Sequence, residues 1–217
     1  MALEEFITDP EEIAKITGVR GIKQIKMDET RGDDWKIVER NIASDRFGRV
    51  AYIDNVIYLP SGEPKTQVGF IAKPGASILP VDDRPQVYFA SVYAYHGMLQ
   101  GLYAAGGAVK KGETFEQTAR RETEEELGMS FERLIDLGEI LPIPGVIKCP
   151  QHLYAAVGKF NIGAQKLDAT EKNLKRVDMP LQQAYEISMD ASQKTFDLQT
   201  AWAVLKVYNL YREGKLF

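Results

Sequence analysis

Cysteine and histidine are scarce in this 217-residue chain, and their scarcity excludes several kinds of chemistry. Cys149 is the only cysteine, so the sequence permits no internal disulfide and no cluster of thiolate metal ligands. The two histidines, His96 and His152, are too far apart in sequence for the HExxH motif of zinc peptidases. The Gly-x-Ser-x-Gly motif of many serine hydrolases is absent as well. Catalysis in this chain must therefore depend mainly on carboxylates.

The chain also lacks a basic excess and any long apolar run. Lys and Arg number 27 against 31 Asp and Glu, a formal charge of −4, which argues against a nucleic-acid partner. No apolar stretch approaches the roughly 20 residues that a membrane-spanning helix needs. The first residues, Met1 to Phe6, lack the pattern of a secretory signal. Together with the single cysteine, these features favour a cytoplasmic protein without a membrane partner.

Apolar periodicity predicts an extension followed by one main domain. We expect residues 1–45 to form an N-terminal extension with a short helix beginning at Pro10 and edge strands after it. Residues 46–217 are expected to form the main domain. Its strands are predicted at 50–58, 67–72, 77–81, 86–95, 134–141 and 153–160. Hairpins of this kind with helices interleaved late predict a mixed sheet flanked by helices, an α/β fold.

Three helices are predicted in the second half of the chain. The period changes to about 3.6 residues after position 113, and Thr114 and Gly128 are placed as the N-cap and the C-terminal stop of one helix. A short helix is predicted to begin at Pro180, and a last helix is predicted to be capped by Asp197. The apolar residues of that last helix are expected to face the core. They are Leu198, Ala201, Trp202, Leu205 and Tyr208.

Four glutamates crowd the last turn and a half of the helix that ends at Gly128. They are Glu122, Glu124, Glu125 and Glu126. This is the unfavourable end, because the helix dipole disfavours each anion there by about 0.3–1 kcal/mol. Glu122, Glu125 and Glu126 are expected to project from one face, and carboxylate oxygens suit a hard cation such as Mg²⁺ or Mn²⁺. For a bare run of glutamates, a solvated acidic surface would be the alternative.

The surrounding residues resemble the Nudix box, the signature of a known hydrolase family. The matching residues are Gly107, Glu113, Arg121, Glu122, Glu125, Glu126, Gly128 and Met129, with Thr123 where an aliphatic residue is usual. The stretch also approaches a phosphate-binding P-loop, but Glu113 stands where that motif needs its lysine. The Nudix resemblance implies an α/β/α sandwich with a mixed sheet and an N-terminal β extension. It also implies hydrolysis of a nucleoside diphosphate linked to another moiety.

The same resemblance implies roles for individual residues. The metal ligands would be Glu122, Glu125, Glu126 and the carbonyl of Gly106, which together hold Mg²⁺ or Mn²⁺. The catalytic group would be Glu125, Glu126, Arg121, Glu113 and Glu171. Within it, Glu113 and Arg121 are expected to form a salt bridge that orients the loop against the helix. Glu171, in a mobile loop after the sheet, is expected to help activate water, with a box glutamate as the alternative base. The alternative role for this loop is the binding of substrate phosphate by Lys172 and Lys175. Tyr103, Pro144 and Gly107 would bind substrate.

Further similarities point to the ADP-ribose pyrophosphatase group, although its arginine near Tyr95 and its glutamate near Tyr103 are missing. Pro144 resembles the proline-containing turn of that group, and a plain turn is its alternative. Residues 72–76, 80–83, 152–156 and 165–171 are similar to further segments of the group. The resemblance implies ADP-ribose or a related nucleotide sugar as substrate. It also implies a homodimer. The edge strands expected in residues 1–58 carry Trp35, Tyr52 and Tyr58, and a partner subunit would cover them. A non-catalytic Nudix-fold sensor of such ligands remains the competing hypothesis.

Overall fold

The computed structural model describes residues 23–44, 49–94, 99–169, 171–190, 192–193 and 195–217. The helix predicted at Pro10 lies outside these residues. The chain forms two compact units. The first unit comprises the described residues up to Lys73 together with Ile143–Cys149, and the second comprises Pro74–Pro142 and Pro150–Phe217. None of the helices in the described ranges is long and apolar enough to cross a membrane.

Strands account for most of the regular structure. In chain order they are β1 (Lys23–Arg31), β2 (Trp35–Ser44), β3 (Val50–Tyr58), β4 (Glu63–Ile71), β5 (Gly75–Val81), β6 (Gln86–Ala94), β7 (Leu99–Tyr103), β8 (Ala105–Ala108), β9 (Met129–Ser130), β10 (Arg133–Ile140), β11 (Ile147–Lys148), β12 (Gln151–Val157), β13 (Asn161–Ile162) and β14 (Lys175–Pro180). The helices are α1 (Phe115–Leu127), α2 (Leu181–Met189) and α3 (Leu198–Arg212).

The first unit is built on a five-stranded sheet in the order β1-β2-β3-β4-β11. The neighbours are antiparallel except β11, which runs parallel to β4. The predicted hairpin is confirmed, because β3 and β4 pair along their whole length. On the sheet's buried face, Arg40 forms a 2.7 Å ion pair with Asp54 and lies over the ring of Tyr52. The predicted boundary at residues 45 and 46 lies outside the described residues, between the paired strands β2 and β3.

The second unit is an α/β/α sandwich around a mixed sheet, as expected. Its main strand order is β10-β12-β5-β6-β14, with β7 beside β6 and β8 beside β5. Alternate residues of β5 face opposite sides because side chains alternate along a strand. Leu79 packs in the same cluster as the buried residues of α2 and α3, whereas Ile78 packs with Ala119 and Leu127 of α1. The glutamate-rich helix α1 therefore lies on the opposite face of the sheet from α2 and α3.

Strands β5 and β6 match the strands predicted at 77–81 and 86–95. They pair with each other at Val81 and Val87, and β8 pairs with Gly75–Ile78 of β5. The expected core face of α3 is wrong at Leu198 and Trp202, which are 63% and 43% exposed, whereas Tyr208 packs partly buried against the core cluster. The buried residues of α3 are instead Thr200, Ala203, Val204 and Val207. These smaller side chains recur at helical spacing, and the Thr200 hydroxyl accepts a hydrogen bond from the amide of Ala104.

Both predicted ends of α1 are confirmed. The Thr114 hydroxyl accepts the amide of Gln117, and the Gln117 side chain accepts the amide of Thr114, which is a complete capping box. At the other end, Gly128 adopts a left-handed conformation with φ of 62°, and its amide donates to Glu124. A Cβ at Gly128 would also lie 2.5 Å from the carbonyl oxygen of Gly163. Both conformation and space therefore require glycine at this position.

We expect Gly128→Ala to lower the free energy of unfolding by about 1–3 kcal/mol more than Gly214→Ala does. Gly214 has a similar φ of 65°, but nothing lies within 4 Å of the position of its Cβ. The pair therefore separates the steric clash from the cost of the left-handed backbone. Urea unfolding of the two variants measures the difference, and equal losses would show that the contact with Gly163 relaxes freely.

Candidate active site

The guanidinium of Arg121 contacts the carboxylates of three glutamates. Its Nε and Nη2 lie 2.8 and 3.0 Å from the two carboxylate oxygens of Glu113, a bidentate pair. Its Nη1 donates to Glu122 at 2.6 Å and to Glu125 at 2.9 Å. The predicted salt bridge between Glu113 and Arg121 is confirmed. Because Arg121 pairs with Glu113 and the amide of Lys110 also donates to it, the pKa of Glu113 falls to about 2.

Glu126 points from α1 toward strand β8. Its Oε2 accepts the amide of Gly106 at 2.9 Å. Burial and the nearby charges of Glu122, Glu171 and Glu125 together raise the pKa of Glu126 to about 8, against the effect of this hydrogen bond. The structure thus brings Glu171 close to the box carboxylates. It is the amide of Gly106 that contacts Glu126 here, and the predicted metal contact of the Gly106 carbonyl stays a prediction.

Glu122 lies against Gly107, the second glycine of strand β8. Its side chain is almost completely buried, and this burial raises the pKa of Glu122 even though Arg121 opposes the shift. A Cβ at Gly107 would lie 2.2 Å from Glu122 Oε1, so no larger residue fits beside the carboxylate. The resemblance to the Nudix family implies that Gly107 binds substrate, which stays a prediction. Its place in the structure gives it a further role, which is to leave room for Glu122.

The raised pKa of Glu126 predicts a pH-dependent stability of the metal-free protein. An unfolded glutamate ionises near pH 4.5, whereas the folded protein holds this proton until about pH 8. The unfolding free energy should therefore fall as pH rises from 4.5 to 8, and each unit of pKa difference is worth about 1.4 kcal/mol. Glu126→Gln should become more stable than the wild type over that range and keep a constant advantage above pH 8. Urea unfolding with a chelator measures this, and a difference that does not change with pH would contradict it.

The remaining predicted site residues lie in three places. Glu125 is about one-third exposed and has Lys110 Nζ 3.8 Å from its carboxylate. The ring of Tyr103 lies beside Gly101 of its own strand, and its pKa is raised by burial and by the charge of Asp197. Pro144 belongs to the first unit, in an exposed turn in which the amide of Ile147 donates to the carbonyl of Ile143. The substrate contacts of Tyr103 and Pro144 stay predictions.

His152 packs at the N-terminal end of α1, opposite to the end that carries the glutamates. Its ring stacks between Phe115, the first residue of α1, and Tyr154 of β12, with centroid distances of 5.2 and 4.7 Å. Its Nε2 lies 2.8 Å from the carboxylate of Asp136. His152 lies in strand β12, and its contacts with Phe115 connect that strand to the start of the helix.

The carboxylates of α1 fit a divalent cation by their chemistry. They supply hard oxygen donors, and the burial and repulsion that raise the pKa of Glu122 and Glu126 are effects that a cation would offset. Within the described ranges, no three acidic, histidine or cysteine side chains are arranged around a common metal position. The guanidinium of Arg121 contacts oxygens of both Glu122 and Glu125.

Comparison with known proteins identifies the family. The profile of the NUDIX domain matches residues 73–184, more than half of the chain. The chain belongs to the Nudix family. A relative from Streptomyces rubellomurinus (strain ATCC 31215), CMP-5'-(N-acetyl-N-hydroxy-3-aminopropyl)phosphonate hydrolase, is 32% identical over 173 residues, covering 79% of this chain and 81% of the relative. The crystal structure of an ADP compounds hydrolase has a TM-score of 0.70 at 16% identity, covering 86% of this chain and all of that one. This structural likeness shows the Nudix fold.

Two side chains that donate hydrogen bonds to the end of α1 were not predicted from the sequence. Gln165 Nε2 donates to the carbonyl of Glu126, and the guanidinium of Arg176 donates to the carbonyl of Leu127. One signal in the sequence points to such partners: α1 has no basic residue in its last turn, although it carries several acidic ones there. That signal indicates that a donor is needed but does not say which distant residue supplies it.

Proposed function

We propose that this Nudix protein hydrolyses the diphosphate bond of ADP-ribose or a related nucleoside diphosphate sugar, giving a nucleoside monophosphate and a sugar phosphate. The burial of Glu122 and Glu126 beside Gly106 and Gly107 carries the proposal. Two carboxylates with raised pKa values in adjoining positions are costly for stability and are typical of functional sites. Their place within the Nudix box makes phosphoric anhydride hydrolysis the chemistry that fits best.

Mg²⁺ or Mn²⁺ would be held by Glu122, Glu125 and Glu126. The cation supplies neutralisation of charge on the phosphate oxygens and activation of water. In the proposed reaction, Glu171 accepts a proton from the attacking water. Its position near Glu126 supports this assignment, because its charge contributes to the raised pKa of Glu126. Arg121 keeps the loop of Glu113 against α1 and fixes the side chains of the box.

A second candidate substrate is a nucleoside monophosphate joined to a phosphonate. The 32% identical relative favours this candidate, because that protein is a hydrolase of a CMP-linked phosphonate. Both candidates place a nucleoside monophosphate beside a second phosphorus group. The two differ in the base and in the group beyond the second phosphorus, so a direct comparison of substrates separates them.

The test is kcat/KM for ADP-ribose, a CMP-linked alkylphosphonate, GDP-mannose and ATP at one Mg²⁺ concentration. ADP-ribose is expected to be cleaved to AMP and ribose 5-phosphate with the highest kcat/KM. A tenfold preference for ATP, about 1.4 kcal/mol of transition-state binding, would overturn the assignment. A tenfold preference for the phosphonate would move it to the second candidate. Binding of ADP-ribose in Mg²⁺ without turnover of any compound would identify a sensor.

The protein is expected to form a homodimer in solution. The first unit exposes large apolar side chains on and beside its edge strands, including Val68 at 54%, Phe70 at 45% and Val146 at 44%. A partner subunit covering this surface would remove it from water. Sedimentation at micromolar concentration should therefore give about twice the chain mass of 24.4 kDa. A species of the single-chain mass would contradict the dimer.

A further inference from the structure

The C-terminus of α1 carries charge of the wrong sign for a helix end. Glu124, Glu125 and Glu126 occupy its last turn, and no basic residue of the helix accompanies them. The carbonyls at this end also point out of the helix without partners from within it. Repulsion from the dipole and unpaired carbonyls would loosen the turn that carries two of the predicted metal ligands. The stability of this turn must come from elsewhere in the chain.

A later segment supplies the missing donors, and we name residues 163–169 and 171–176 the capping segment. Four successive carbonyls of the helix end accept hydrogen bonds from it. Gly163 and Lys166 donate backbone amides to the carbonyls of Gly128 and Glu125, at 2.7 and 2.8 Å. The side chains of Gln165 and Arg176 donate to Glu126 and Leu127. Arg176 also brings a positive charge to the negative end of the dipole.

These contacts hold the backbone of the same residues whose side chains form the site. The peptide carbonyls of Glu125 and Glu126 are fixed by the capping segment, while their carboxylates face Arg121 and the amide of Gly106. The direction of a helical side chain is set by its backbone, so a shift of this turn moves both carboxylates. The contacts of the capping segment with these carbonyls therefore determine where the carboxylates of Glu125 and Glu126 lie.

The capping segment also carries Glu171. The amide of Glu171 donates to the carboxylate of Asp168 at 3.1 Å, and the amide of Asp168 donates to the Glu171 carboxylate at 3.3 Å. Beyond this turn, Leu174 is buried in the same cluster as Leu127 of α1. Glu171 therefore lies between two attachments of the segment to the helix, at residues 163–166 and at Leu174 and Arg176.

We propose that Gln165 and Arg176 are positioning residues of the active site. By binding the last carbonyls of α1, they orient Glu125 and Glu126 toward the cation and hold Glu171 beside them. The proposal rests on the proposed function, because it concerns the same carboxylates. Its competitor is a cap that stabilises the helix and leaves the geometry of the carboxylates unchanged.

The experiment compares Arg176→Gln, Arg176→Lys and Gln165→Met with Arg212→Gln. Arg212 is the matched control because it is an exposed arginine in the last turn of α3. The readouts are the dissociation constant of Mn²⁺ by electron paramagnetic resonance, kcat and KM at saturating Mn²⁺, and amide hydrogen exchange of residues 124–128 in the metal-free protein.

Arg176→Gln and Gln165→Met are expected to weaken Mn²⁺ binding by about tenfold or more, the usual effect of losing a residue that orients a metal ligand. They should lower kcat with KM nearly unchanged, and Arg176→Lys should recover most of the Mn²⁺ affinity. Arg212→Gln should match the wild type. Faster exchange at residues 124–128 with unchanged Mn²⁺ affinity and kcat would overturn the proposal in favour of a purely structural cap.

Failure of the proposed function has a separate signature. If the wild-type protein does not bind Mn²⁺, the assigned metal site is wrong, and the positioning proposal falls with it. If the wild type binds Mn²⁺ and cleaves nucleotide sugars but both variants behave like it, only the positioning proposal is wrong. Gln165→Met keeps the charge pattern and nearly the side-chain volume, so it provides the test even if Arg176→Gln does not fold.

Discussion

Glu126→Gln is expected to lower kcat by about 10³-fold or more while leaving the fold intact. Glutamine has the same shape, and its side-chain oxygen can still accept the amide of Gly106, as Glu126 does at 2.9 Å. The substitution removes only the negative charge that the proposed cation needs. Glu122→Gln should have a similar effect, because Glu122 shares the buried side of α1. Turnover of the best substrate at saturating Mg²⁺ measures both.

Glu124→Gln is the matched control for these variants. Glu124 belongs to the same turn of α1, but its side chain is half exposed and lies 3.5 Å from Lys166. Exposed ion pairs of this kind contribute little to stability, so we expect kcat within about twofold of the wild type. Near-normal turnover in both Glu122→Gln and Glu126→Gln would show that the metal assignment is wrong. A loss in Glu124→Gln equal to theirs would show that the whole helix end responds to any change of charge.

Local signals in the sequence predicted the parts of the site that lie within one stretch of chain. Thr114 and Gly128 define the ends of α1 through contacts with residues at most four positions away. The pairing of Glu113 with Arg121 spans eight residues and follows from the Nudix spacing. The hairpin of β3 and β4 joins strands adjacent in sequence. Each of these features depends on residues that are close in sequence, so the pattern that produces it is visible in one stretch of the chain.

Features that depend on distant residues were not predictable in the same way. The buried face of α3 is decided by the sheet it packs on, where Ala203 and Val204 fit and Trp202 does not. Apolar periodicity alone identified the helix but chose its larger residues for the core. The contact of Arg176 with Leu127 spans 49 residues, and no spacing rule connects them. Such pairings follow from strand order, which the sequence did not reveal.

The role of Glu171 rests on the family resemblance and on one feature of the structure. The resemblance implies that a glutamate of this loop helps to activate water, and in the structure the charge of Glu171 raises the pKa of the Glu126 carboxyl. The mobility of this loop stays a prediction. Within the loop, the amide of Glu171 donates to the carboxylate of Asp168 and the amide of Asp168 donates to the carboxylate of Glu171. The effect of Glu171 on Glu126 is the observation that supports Glu171 as the proton acceptor.

Glu171→Gln is therefore expected to lower kcat by about 10²–10⁴-fold with little change in KM, as for loss of a general base. The glutamine side chain keeps an acceptor for the amide of Asp168, so the turn should survive. Lys172→Gln, in the same turn, is the control for the alternative that this loop binds substrate phosphate. If the loop only binds phosphate, Lys172→Gln raises KM and Glu171→Gln changes kcat by less than about threefold. That result would transfer the role of base to a glutamate of the Nudix box.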